Sequence, residues 1–369
     1  MPSAQRTAPS SLAPILRSAR RIVLALAALF VLAAGSAWYF LWPPGIRLTD
    51  GRHDLSRNAI WLGHAWLGDD LWFRNQRRPT DPAPYRDALR LQALAGRLSR
   101  HGITDVFPHL CPSDQSGRLP GVHASQVSVF LSAFSGFRVL PWVGGNRHKT
   151  ALVHRPDWRA RFTSDCATLL QRFPRLAGVH INIEPTPSGD PALLQLLRDL
   201  RKALPPNARL SISAYPPPKP MDADREVHWD HDYIRAVAAL VDQMAFMLYD
   251  TSLTSPMLYQ ALMARWTGQV LAWSHPAAVL LGVPAYEDAW ASWHRPDVEN
   301  IENALLGIHT GLCSFSALPP HYQGTAIYSE WEMTDSKWLL YSQLFLKSTA
   351  GQPPPSIGSS SQTTTHAAR

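Results

Sequence analysis

Cysteine is scarce in this chain. Its three residues, Cys111, Cys166 and Cys313, lie far apart and without CxxC or Cys/His ligand spacing. Neither a disulfide framework nor a structural zinc site is therefore indicated. Metal-ligand patterns such as HxH and HExxH are missing as well, and no glycine-rich phosphate loop follows the first predicted strand. No metal and no organic cofactor is expected. Charge is sparse, at 17% of 369 residues. The formal +7 owes four charges to Arg6, Arg17, Arg20 and Arg21, which precede any acid and leave 31 basic against 28 acidic residues. That balance is no nucleic-acid footprint. The 46% hydrophobic content excludes a disordered or coiled-coil chain and is ample for a large core.

One long run is present. Residues 22–42 contain no charge and just suffice to cross a hydrocarbon core of roughly 30 Å. Arg17, Arg20 and Arg21 precede the run, so the positive-inside tendency predicts a single-pass inner-membrane anchor with the rest of the chain exported. The alternative is a cleaved signal peptide processed near Ala34-Gly35-Ser36-Ala37, giving a secreted or periplasmic product. The expected organisation is a basic cytoplasmic leader at 1–21, the span at 22–42, a linker at 43–57, a folded domain at 58–349, and a disordered Ser/Thr/Gln-rich tail at 350–369.

Between 58 and 346, short apolar runs rich in β-branched and aromatic residues alternate with longer amphipathic stretches. Strands are predicted at 59–66, 105–110, 138–143, 178–184, 209–214, 243–249, 279–285 and 325–329, with helices such as 85–101 and 191–204 between them. Eight such units are the arithmetic of an α/β fold of the (β/α)₈ barrel type, in which the chemistry lies at the C-terminal ends of the strands. A doubly wound open sheet is the rival.

The run Gly178-Val-His-Ile-Asn-Ile-Glu184 carries the strongest chemical signal. Side chains alternate along a strand, so Val179, Ile181 and Ile183 share one face and His180, Asn182 and Glu184 the other. Three polar groups inside a barrel are costly unless they pair or work. A satisfied polar network without catalytic role is the bland alternative.

Residues 176–184 resemble the fourth-strand signature of the chitinase-like glycoside hydrolase family 18, which has aspartates at the positions of Ala177, His180 and Asn182 and a glutamate at Glu184. Met247-Leu-Tyr-Asp250, Gly282-Val-Pro-Ala-Tyr286 and Val143-Gly-Gly145 are similar to that family's sixth-, seventh- and third-strand motifs. The chain departs from the pattern at three of four acidic positions, at Trp142 where a serine is expected, and at Ser329 where a tryptophan is expected; Trp331 is a candidate substitute. The Asn-x-Glu of Asn182 and Glu184 also resembles the endo-β-N-acetylglucosaminidases of family 85.

The resemblance implies cleavage of a polysaccharide or other glycan containing N-acetylhexosamine. In substrate-assisted hydrolysis the acetamido oxygen attacks the anomeric carbon, so a single carboxyl serves as acid and then base. Glu184 takes that role, Asn182 accepts the acetamido N–H, Tyr249 donates to the acetamido oxygen, His180 orients the Asn182 amide, and Asp250 holds the geometry. Trp66, Trp142, Tyr286 and Trp331 are the candidate sugar-binding rings. Three alternatives stay open: a catalytically inactive glycan-binding barrel, a conventional two-carboxylate retaining glycosidase using Glu287 or Glu330, and a metal hydrolase built on His64, His109 and His180.

Overall fold

The computed structural model describes residues 13–41, 43–69, 81–219, 226–288 and 293–347. The tail expected at 350–369, most of the basic leader and Trp42 lie outside them. The chain divides into two compact units, Met1–Pro44 and Gly45–Arg369.

The first unit holds helix α1 (Ala13–Leu41), with Ile22, Leu26, Leu29 and Phe30 exposed along it. Among the described residues no helix is long and apolar enough to cross a membrane. Side chains of α1 are described only over 20–35, a stretch that opens on Arg20 and Arg21 and is shorter than the roughly 20 apolar residues of a span. The anchor expected at 22–42 falls on α1, but the side chains of 36–41 and the whole of Trp42 lie outside the described residues.

The second unit is built on nine parallel strand segments: β1 (Asn58–Leu62), β2 (Ile103–Pro108), β3 (Arg138–Val139), β4 (Trp142–Asn146), β5 (Gly178–Glu184), β6 (Arg209–Ala214), β7 (Gln243–Phe246), β8 (Ala278–Pro284) and β9 (Tyr322–Tyr328). Their order is β3-β2-β1-β9-β8-β7-β6-β5-β4. Segments β3 and β4 are two halves of one strand, interrupted at Pro141, which has no N–H to donate. The first half pairs with β2 and the second with β5, so this strand closes the sheet on itself. Across the break Leu110 N donates to Trp142 O at 2.8 Å and His180 N to Pro141 O at 2.9 Å. Eight physical strands with intervening helices make the expected (β/α)₈ barrel.

The helices are α2 (Ala83–Arg86), α3 (Ala88–Arg100), α4 (Ala124–Ala133), α5 (Pro156–Arg172), α6 (Pro191–Ala203), α7 (His231–Ala238), α8 (Pro256–Trp273), α9 (Ile301–Leu312) and α10 (Asp335–Leu344). Several start on side chains that accept the first free amides. Asp87 caps α3, Asp190 α6, Asp230 α7, Ser255 α8, Asn300 α9 and Thr334 α10. Each such cap contributes about 1 kcal/mol and fixes where a loop ends.

The core has two layers. Ile60, Val106, Val179, Ile181, Ile212, Met244 and Leu281 point outward and pack under the helices with Phe130, Trp158, Leu197 and Trp266. Ala59, Trp61, Phe107, Trp142, Ala245, Leu280 and Ala326 fill the barrel interior. The strand alternation of β5 is seen here directly, with its isoleucines outside and His180 inside.

Below these rings the barrel is closed by a polar floor. Asp105 is fully buried, accepts from Gln243 Nε2 at 2.7 Å and Gln323 Nε2 at 2.8 Å, and pairs with Arg138 at 2.5 Å. Gln323 reaches this layer because β9 carries one extra residue between the partners of Val279 and Leu280. At the same end the segment before β1 meets the end of the described domain: Tyr322 OH donates to His53 O and Lys347 N to Asp54 Oδ2 at 3.3 Å, while residues 45–47 run along the helices, Ile46 N donating to Leu306 O and Arg47 pairing with Glu302. Of the segment 43–57 expected as a linker, residues 45–57 thus pack on the barrel within its unit.

Candidate active site

Glu184 is the last residue of β5, at the C-terminal mouth of the barrel. Three neighbours set its chemistry. Tyr215, just beyond β6, donates its hydroxyl to Glu184 Oε2 at 3.3 Å. Asn182, one strand period below, hydrogen-bonds the same carboxyl. Asp250 lies close enough for its charge to act on it. Burial raises the Glu184 pKa above the ordinary glutamate value; the Asn182 and Tyr215 bonds pull it down, Asp250 pushes it up, and the net direction is upward. A carboxyl that keeps its proton toward neutral pH is the form a general acid needs.

Glu184 and Asn182 form one wall of a cleft of about 290 Å³, whose other walls are His64, His109, Cys111, Pro112, Trp142, Gly145 and Asn146. The register puts Trp142 beside His180, Gly144 beside Asn182 and Asn146 beside Glu184. Gly144 is required at its position. Its φ is +135°, and a Cβ there would stand 2.0 Å from Asn182 O. Two buried polar atoms of the cleft residues, Asn182 Oδ1 and Trp142 Nε1, have no hydrogen-bond partner among the described residues. Asn182 Oδ1 is thus left to accept from a ligand.

An aromatic cluster flanks the carboxyl. Tyr328, the last residue of β9, stands within 6.3 Å, centroid to centroid, of Trp61, Trp142, Tyr249, Tyr286 and Trp331. Tyr249 stacks on it and is buried, which drives its phenol pKa well up and keeps it a neutral donor. Tyr286 donates its hydroxyl to Asp250 Oδ1. Trp331 is 40% exposed at the rim.

The structure therefore brings together Glu184, Asn182, Tyr249, Asp250, Trp142, Tyr286 and Trp331. It separates two others from them. His180 is fully buried, stacked on Phe107 at 3.9 Å, accepts from Trp61 Nε1 at 3.1 Å and contacts Ser211 and Ser213. Its partners are these core groups rather than the Asn182 amide, and burial lowers its pKa to about 3. Trp66 packs edge-on against Tyr85 and near Phe130, in the layer under the helices. Of the two further carboxylates considered, Glu287 pairs with Lys337 at 2.6 Å in a separate hollow lined also by Pro284, Asn300 and Leu340. Among the described residues Asp250, not Glu287 or Glu330, is the carboxylate whose charge acts on Glu184. His64 and His109 lie in the cleft with ring centroids 3.7 Å apart and planes tilted by 43°, while His180 lies in the core below, so the three do not converge.

Tyr215, Tyr328, His294 and Glu299 were not foreseen from the sequence. Tyr215 and Tyr328 sit at strand ends, where the barrel rule directs attention. His294 and Glu299 lie in an irregular segment with no motif.

The barrel and its mouth define the class at the level of fold: a (β/α)₈ barrel like that of chitinase-like glycoside hydrolases. Among solved structures it is similar to the spore cortex-lytic enzyme SleL of Bacillus cereus (TM-score 0.52, 10% identity, 78% of this chain and 74% of that one). SleL of Bacillus megaterium QM B1551 (0.51, 11%, 78% and 74%) and a chitinase from Chromobacterium violaceum ATCC 12472 (0.50, 15%, 78% and 98%) are similar too. At these identities the likeness is one of fold. By sequence the chain matches no protein-family model and no curated protein.

Proposed function

We propose that this protein is a glycoside hydrolase acting on N-acetylhexosamine-containing glycans by substrate-assisted, configuration-retaining cleavage. The observation that carries the reading is the arrangement at the end of β5. Glu184 has a raised pKa and is hydrogen-bonded by Asn182 and Tyr215, and Asn182 Oδ1 is an unpaired acceptor in the same cleft. In the proposed reaction Asn182 Oδ1 accepts the acetamido N–H and Tyr249 donates to the acetamido oxygen. That oxygen attacks the anomeric carbon while Glu184 gives its proton to the departing glycosidic oxygen. Water then opens the oxazolinium intermediate, with Glu184 taking a proton back. Trp142, Tyr286, Tyr328 and Trp331 offer flat apolar faces to sugar C–H groups. The similar proteins, a spore cortex-lytic enzyme and a chitinase, are in keeping with this substrate class.

The test compares N-acetylhexosaminide and plain hexoside reporters. Glu184→Gln is expected to lower turnover by about two to four orders of magnitude, and hexosides without the acetamido group are expected to be poor substrates. Full activity of Glu184→Gln, or equal cleavage of both reporters, overturns the mechanism. A second reading, a barrel that binds glycans without cleaving them, is favoured by Ala177, His180 and Asn182 standing at positions acidic in the family; binding with no cleavage across a broad panel would select it. We further propose that residues 22–42 anchor the chain in the inner membrane with the barrel exported. Fractionation with N-terminal sequencing decides this, and a soluble product beginning near Trp38 would replace the anchor with a cleaved signal.

A further inference from the structure

Asp250 holds a left-handed backbone, φ +63°, as does Ser252 at +60°. Non-glycine residues persist there only where their surroundings enforce it. The enforcing group is Glu299. Fully buried, it accepts from Asp250 N at 2.5 Å, from Thr251 N at 3.0 Å and from Thr251 Oγ1 at 2.9 Å. Between Glu299 and Asp250 lies His294, 3% exposed. Its Nδ1 is 3.4 Å from Asp250 Oδ1 and 3.7 Å from Glu299 Oε2, and its Nε2 is 3.1 Å from the carbonyl oxygen of Tyr286. The ring stacks on Tyr286 at 3.9 Å, and the Tyr286 hydroxyl closes the circuit by donating to Asp250 Oδ1.

This geometry selects a charge state. A carbonyl oxygen can only accept, so Nε2 carries a hydrogen. A neutral ring would then turn the Nδ1 lone pair toward two carboxylates, whereas an imidazolium presents N–H to both. We infer that His294 is a positioning residue, an imidazolium wedged between Asp250 and Glu299 that fixes Asp250 and Tyr286 beside Glu184. Burial alone would lower the His294 pKa, but the carboxylates of Asp250 and Glu299 facing Nδ1 outweigh it and bring it to about 9. The other ionisable neighbours of this acidic pair are Tyr286, Tyr259 and Tyr249, whose phenol pKa values burial pushes up so that they stay neutral, and Glu184, whose own pKa burial and Asp250 raise. The ligand atoms of these three side chains, Asp250, His294 and Glu299, lie within 4.8 Å of one another, a spacing that also suits a cation. Against that, both Glu299 oxygens already accept protein donors and Asp250 Oδ1 accepts the Tyr286 hydroxyl.

The effect on turnover rests on the glycosidase reading; the charge state does not, and the two are tested separately. In the full-length protein, the His294 ring is followed by NMR as pH is raised. A midpoint near 9, falling by roughly one unit or more in Asp250→Asn, is expected. A midpoint below 7, or one indifferent to Asp250→Asn, overturns the assignment. Zinc or manganese added alone should leave the His294 resonances in place; stoichiometric binding that shifts them overturns it in favour of a metal site. In the kinetic arm, wild-type kcat/KM should fall as Glu184 deprotonates and fall more steeply above pH 9, where His294 loses its proton. His294→Gln should lose that second, steeper limb and lower kcat by about tenfold to a hundredfold through misplacement of Asp250, with KM little changed. A His294→Gln profile identical to wild type overturns the positioning role. If no glycan is cleaved at all, the glycosidase reading fails while the titration still stands.

Discussion

The buried histidine of β5 makes a quantitative claim about acid stability. His180 is neutral in the folded barrel because burial lowers its pKa from 6.5 to about 3. Above pH 6.5 the folded and unfolded chains carry it alike. Below 6.5 the unfolded chain takes a proton that the folded barrel refuses, so stability is lost progressively until pH approaches the folded value. At pH 5 the loss is 1.5 pH units, about 2 kcal/mol. His53 and His64, each lowered to about 4 chiefly by burial, add losses of the same sign and similar size. Together they amount to about 6 kcal/mol, comparable with the whole stability of an ordinary domain, roughly 5–15 kcal/mol. Glu184 and Glu330, whose pKa values burial raises, work in the opposite direction over the same range. They cancel in a comparison of two variants. Glutamine at position 180 keeps one N–H and one acceptor for Ser211 and Trp61 but cannot titrate. His180→Gln should therefore be less stable than wild type at pH 8, by about 1–3 kcal/mol from lost packing on Phe107. It should regain about 2 kcal/mol relative to wild type by pH 5. Urea unfolding at pH 8, 7, 6 and 5 reads this as a difference in slope. Parallel stability curves for the two proteins would refute the claim that His180 is buried and neutral.

Gly144→Ala should destabilise the barrel by about 3 kcal/mol or more, because alanine resists a φ of +135° and its Cβ meets Asn182 O; thermal melting checks the loss, and Gly136→Ala, with open space around it, is the control. Asp105→Leu should cost about 3–5 kcal/mol by leaving the half-buried Arg138 guanidinium without its carboxylate. Urea titration at neutral pH reads that loss, and unchanged stability would show that the polar floor is dispensable. Any hydrolytic activity is expected to survive EDTA, since Glu184, Asn182 and Tyr249 supply the proposed chemistry without a metal; loss on chelation with recovery on zinc would contradict it.

The barrel was legible because alternation and spacing are local properties. Strand 178–184 was read to the residue, since three isoleucine or valine positions interleave with three polar ones. Ends were less legible. The first strand stops at Leu62 rather than Trp66, where Ala65 turns to φ +79°, and β7 stops at Phe246, ahead of the left-handed Asp250. The break at Pro141 divided one predicted strand into two segments without altering the count. For the site, sequence alternation gave the correct face but not the depth. His180 is four residues before Glu184, about 13 Å lower along the strand at roughly 3.3 Å per residue. It falls in the core while its neighbour on the same face, Asn182, reaches the cleft. Tyr328 carries no motif signal, because the resemblance points instead to Ser329 and Trp331, which follow it out of β9. His294 and Glu299 meet Asp250 only through the path of a loop, and no periodicity encodes that.

The meeting of Asp54 with Lys347 beneath the barrel also governs how the molecule can be handled. All strands run from that floor toward the mouth, so residues 54 and 347 meet at the pole opposite Glu184. Residues 54 and 347 touch, which makes the domain suited to circular permutation: a short peptide could join these two points, with new termini opened in a surface loop. A tag, reporter or surface tether joined next to either point would leave from the closed pole, and the cleft would face the solution.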